Sequence, residues 1–143
     1  MEAEITAKIH LRRAGLPVLV SQIYPYRLTK FLREQVDDGL RSVIYYDPDE
    51  YEVVFVRDDA SDYDDEDIDG IVADLWADSY EQGIREDLRG QGPLDCTVWV
   101  FEEAIEMHFV ADARQGVAVA LDTETFLTQS TFIGRCLEIA GLE

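Results

Sequence analysis

The alternation of apolar and polar positions divides the chain near residue 25. Beyond it, Leu28, Phe31, Leu32, Gln35 and Val36 recur at helical spacing, and Pro25 suits a first helical turn. Gly39 is the expected stop. Two runs rich in β-branched and aromatic residues follow, Ser-Val-Ile-Tyr-Tyr at 42–46 and Tyr-Glu-Val-Val-Phe-Val at 51–56. Asp47 and Pro48 suit the first two places of a type I turn, so the two runs read as a hairpin. Ile68, Ile71, Val72, Leu75, Trp76 and Tyr80 then mark one face of an amphipathic helix. Its acids gather at the N-terminal end, where the helix dipole favours them. Gly90, Gly92 and Pro93 close that section.

Three strands are expected next, over 96–101, 104–110 and 116–121. In the middle one, Ile105, Met107 and Phe109 take one face while Glu106 and His108 take the other. His108 is expected to face solvent. A last helix over 125–140 turns Phe126, Ile133, Leu137 and Ala140 inward and is capped by Gly141. The order α-ββ-α-βββ-α, with short links, predicts an α+β domain: a single antiparallel five-stranded sheet packed by helices. Residues 1–24 read as an N-terminal extension, poorly ordered as free termini usually are, and 25–143 as one domain. A strand at 18–23 also fits the extension.

Composition sharpens this picture. The 143 residues hold 31 Asp and Glu against 12 Lys and Arg, a formal net charge of −19. Such a surface repels phosphate, which argues against nucleic acid and anionic membranes as partners. A hydrophobic fraction of 47% is too high for a disordered acidic chain. Residues 1–41 carry seven of the twelve cations and only five of the 31 acids, so the excess acid lies entirely beyond them. Lys8 and Lys30 are the only lysines. Abundant carboxylate with almost no lysine fits a salt-saturated cytosol, where a Debye length of about 3 Å at molar salt screens self-repulsion. Cys96 and Cys136 form no CxxC pair and read as buried free thiols. No apolar stretch reaches the ~20 residues a membrane helix needs, and no signal-like start is present, so a cytoplasmic protein is expected.

Candidate chemistry is sparse. Asp65, Asp67 and Asp69 before Gly70 imitate the opening of a calcium loop, but its closing bidentate glutamate is replaced by Trp76. An acidic helix start explains the same residues. His10 and His108 are the only histidines, and Glu106 beside His108 makes only a weak metal half-site. No nucleophile motif and no phosphate-cradling glycine loop is present, so no catalytic residue, cofactor or metal is assigned.

The element order resembles the Roadblock, longin and profilin-like fold, and PAS and GAF domains are the architectural alternative. Residues 40–59, containing Val-Ile-Tyr-Tyr-Asp-Pro-Asp-Glu-Tyr-Glu-Val-Val-Phe-Val, resemble an uncharacterised small-protein family of haloarchaea, as does Cys-Thr-Val-Trp-Val-Phe-Glu-Glu-Ala-Ile-Glu-Met-His-Phe-Val at 96–110. The Roadblock resemblance implies a non-catalytic dimer that scaffolds or regulates small GTPases. It also places the first strand of the meander at a sheet edge. Cys96, Val98, Trp99 and Val100 on that strand, with Trp76 and Tyr80 on the preceding helix, are the expected homodimer interface. The rival functions are a small-molecule sensor of PAS or GAF type, and a hydrolase-like enzyme using His108 with carboxylates.

Overall fold

A computed structural model describes residues 8–12, 16–20, 23–60, 64–112 and 115–141. Strands β1 (Lys8–Arg12) and β2 (Leu16–Val20) pair antiparallel in a two-stranded sheet of their own. The expected strand at 18–23 therefore begins earlier, and residues 21–22 lie outside the described residues.

The main sheet contains β3 (Leu40–Tyr46), β4 (Tyr51–Val56), β5 (Cys96–Val100), β6 (Ala104–Asp112) and β7 (Gln115–Asp122). They lie side by side in the order β4-β3-β7-β6-β5, every pair antiparallel. The chain is thus α+β with the expected element order, and β5 does lie at an edge.

Helices cover both faces. On one, α1 (Pro25–Val36) and α3 (Thr123–Gln129) close over an aliphatic core of Leu32, Leu40, Val43, Val117, Val119 and Leu121, with Phe126 packed against it. On the other, α2 (Asp65–Arg89) sets Val72 and Leu75 against Ile44 and Tyr46. Helix α4 (Thr131–Ile139) follows α3 after a break at Ser130.

Three local expectations are corrected. The last helix is two helices, because Ser130 leaves helical geometry at φ −132°. Ile133 and Leu137 are half-buried, but Ala140 and Cys136 are exposed, so Cys136 is not a buried thiol; Cys96 is half-buried. Gly39 is needed for room rather than for a left-handed turn. Asp37 takes the positive φ that ends α1, while a side chain on Gly39 would run into Thr125. Gly141, at φ 83°, does end its helix as expected.

Candidate functional site

The chemistry of the molecule gathers between the sheet and α2. Three β7 residues facing α2 are Gly116, Ala118 and Ala120, which pair on one side with Tyr46, Ile44 and Ser42 of β3. On the other side Ala118 pairs with His108 and Ala120 with Glu106, both on β6. Small side chains in the middle of the sheet leave space that the flanking strands and the helix fill unequally.

Under the second half of α2 the space is filled by polar groups. His108 is fully buried. Its Nδ1 lies 2.8 Å from Asp78 Oδ2, and its Nε2 lies 2.6 Å from the Tyr46 hydroxyl. Arg85 donates to the other Asp78 oxygen at 2.8 Å. A neutral imidazole satisfies the chain: Nδ1–H donates to the carboxylate, and Nε2 accepts from Tyr46. Burial pushes the His108 pKa down, against the opposing pull of Asp78 and Asp74. Trp99 and Tyr46 pack their rings against the imidazole, with centroids 6.1 and 5.7 Å away. Gly116 makes room, since a Cβ there would stand 2.5 Å from the Phe109 carbonyl oxygen and 2.7 Å from the Tyr46 hydroxyl. Both ring nitrogens are engaged, so in this conformation His108 has no free lone pair to offer a substrate.

The expected solvent-facing histidine is therefore corrected. The reason lies in α2, whose inward residues after Leu75 are Asp78, Ser79 and Gln82, all buried. An apolar stripe cannot trace them, so the sequence pattern does not report the cover over this part of β6.

Under the first half of α2 the space stays open. A pocket of about 160 Å³ is lined by Ile44, Val53, Ile68, Ile71, Leu75, Ala104, Ala118 and Ala120, with Arg41, Ser42 and Glu106 among its polar wall. Glu106 is half-buried, and its carboxylate makes no hydrogen bond or ion pair with any described residue. Burial, and then the charge of Asp74, hold its pKa above the ordinary carboxylate value. Arg41 is turned to Asp122 at 3.1 Å. Asp122 also takes Arg57 at 2.8 Å; the Arg57 hydrogen bond is the main cause that holds its pKa low. The sequence did carry a signal for this pocket: Gly116-Val-Ala-Val-Ala-Leu alternates small with branched residues along one strand.

The other candidate residues fall elsewhere. Asp65, Asp67 and Asp69 spread around the first turn of α2 and do not converge. Asp64 and Asp67 form a reciprocal N-terminal cap, and Asp69 accepts the Tyr51 hydroxyl at 2.7 Å. Of the expected interface residues, Trp76 and Trp99 turn into the chain's own interior. Trp76 donates its indole N–H to the Asp47 carbonyl at 3.0 Å and meets Tyr46 edge-on. Tyr80, Val98 and Val100 are exposed, while Cys96 is half-buried. Among the described residues, no helix is long and apolar enough to cross a membrane.

A search of the curated proteins finds no match to this chain. Residues 26–141, which hold the whole five-stranded sheet and all but one residue of its helices, match a family profile. The chain belongs to the family described as a domain of unknown function, DUF7522.

Proposed function

We propose that this protein is a non-enzymatic regulatory or scaffolding domain that works through protein contacts, first of all with a second copy of itself. The observation that carries the reading is the apolar surface at the β5 end of the molecule. Val98 and Val100 are each 40% exposed on a strand that, among the described residues, pairs only with β6. No charged residue interrupts β5. A separate apolar stripe, Tyr80, Ile84 and Leu88, exposed by 72%, 61% and 78% at i, i+4 and i+8, runs along the side of α2 turned away from the sheet, opposite its buried Gln82. A soluble chain of this acidity has little reason to leave such side chains bare unless something covers them.

A second copy is the occupant this surface suits. An edge strand can pair antiparallel with its own twin across a two-fold axis, and such a contact closes on itself. Two chains of net charge −19 repel, and an uncharged strand is where they meet at least electrostatic cost. The Roadblock-like element order supports the same mode of action, with a small GTPase as the kind of further partner it implies. The acidic, lysine-poor composition supports a salt-loving archaeal cytoplasm as its setting. A reading with His108 as an enzymatic base has less to rest on, since Tyr46 and Asp78 occupy both its nitrogens.

Light scattering at molar salt tests the dimer. Wild type is expected to be dimeric, and Val98→Lys and Val100→Glu monomeric with unchanged circular dichroism. Both positions are exposed, so neither change disturbs the core. A monomeric wild type ends the reading, as does a dimer that survives both substitutions. Thermal melts at molar and tenth-molar salt test the setting. The melting temperature is expected to fall on dilution as the Debye length grows from about 3 to about 10 Å; equal melting at both would remove the halophilic argument.

A further inference from the structure

The pocket beneath the first half of α2 has features that a packing defect does not require. Its walls are Ile44, Val53, Ile68 and Leu75, and its floor is the small residues Ala104, Ala118 and Ala120. At about 160 Å³ it matches the engineered apolar cavity of about 150 Å³ that accepts benzene. Unlike that cavity, it holds a carboxyl group. Glu106 projects from β6 between Ala104 and His108 on the α2 side, and no described residue bonds to its carboxylate. The neighbouring cation, Arg41, is already held by Asp122. The charge that acts on Glu106 is that of Asp74, of the same sign.

We propose that this pocket binds a small organic cation: a primary amine whose apolar body is one ring or a short branched chain, with its ammonium on Glu106 and its body on the alanine floor. The chemistry selects this class. A carboxylate withdrawn from water without a partner is costly, and a cation restores what burial removes. An anion meets Glu106 and Asp74 together and is rejected. A neutral molecule of the same shape gains the apolar contact alone. A bare metal ion finds one carboxylate and otherwise mainly aliphatic wall, far from the oxygen cage it needs. The excess acid of the surface adds a general attraction for cations. None of this depends on whether the chain dimerises.

Benzylamine, benzyl alcohol and benzoate are probes of one shape and three charges. Each is titrated into the full chain at molar salt by calorimetry, with amide shifts followed by nuclear magnetic resonance. Benzylamine is expected to saturate one site at least tenfold more tightly than benzyl alcohol, and benzoate to give no saturation. Glu106→Gln, nearly isosteric, is expected to reduce benzylamine to the level of benzyl alcohol. Ala120→Leu fills the pocket and is expected to abolish both, while Asp87→Asn on the exposed side of α2 changes neither. The proposal is overturned by absent benzylamine saturation, by equal affinity for amine and alcohol, or by a Glu106→Gln variant that binds like wild type. Should Ala120→Leu fail to fold, Glu106→Gln decides alone.

Discussion

The two faces of the sheet are built from the same five strands and differ in what they enclose. Toward α1 and α3, β7 presents Val117, Val119 and Leu121, and with Leu32, Leu40 and Val43 they form a dry aliphatic core. Toward α2 the same strand presents Gly116, Ala118 and Ala120, and the layer above holds a pocket and a buried Asp78–His108–Tyr46 chain. One face is packed by aliphatic volume alone; the other adds polar bonds and a gap to its own smaller cluster of Ile44, Tyr46, Val72 and Leu75. The α2 side is thus where buried polar chemistry sits.

The sharpest way to break that contrast is to trim each face in turn. Leu121→Ala on the dry face is expected to cost about 2–5 kcal/mol, measured by urea unfolding, because its neighbours cannot collapse into the space. Ala118→Val on the opposite face adds methyl groups toward the pocket and is expected to stay within about 1 kcal/mol of wild type. Similar losses from both would show that the α2 layer is as tightly packed as the other.

Next in size is Tyr46→Phe, which leaves His108 Nε2 buried without a donor. A loss of about 1–3 kcal/mol is expected in the same measurement. A neutral result would mean that water or a rearranged side chain replaces the hydroxyl.

The pH dependence separates the faces without changing their volume. His108 has its pKa lowered by burial, so the folded chain resists a proton that the unfolded chain accepts below 6.5. Stability from this group is therefore complete above that pH and lost as pH falls toward the folded value. Melting temperature is expected to drop through this range, and His108→Gln to flatten the drop. An unchanged slope in the variant would assign it to other groups.

The smallest effect is expected from Glu106→Gln. The pKa of Glu106 is raised, so its stabilising contribution is present at low pH and lost as pH rises through the folded value. The variant is expected to melt higher than wild type at pH 7 and equally at pH 4. A lower melting temperature at pH 7 would mean that the carboxylate has a partner in solution.

How far the sequence was legible follows the same division. Period-two alternation located β6, and helical spacing located the first half of α2, because both bury apolar side chains. From Asp78 onward the helix buries Asp, Ser and Gln, and it exposes Tyr80, Ile84 and Leu88. A rule that reads apolar as inward then points the wrong way, which is why His108 was expected in solvent. Trp76 is a related case. Its indole proton needs an acceptor, and the Asp47 carbonyl that supplies it lies 29 residues away, a contact no local pattern reports. The break at Ser130 was hidden because the residues on both sides keep helical composition.

The position of β7 also bears on how the molecule is made. It is the last strand in the chain and the middle strand of the sheet, joining β3 to β6 through pairs such as Tyr46 with Gly116. During synthesis, β3 with β4 and β5 with β6 can each form a hairpin, but neither has a neighbour across its inner edge until residues 115–122 emerge. Closing those long loops is the slow part of such a topology. Until then two sheet edges stand open to other nascent chains, a state prone to aggregation. The growing polypeptide is already strongly negative by that stage, and mutual repulsion between unfinished copies keeps those edges apart until the central strand arrives to claim them.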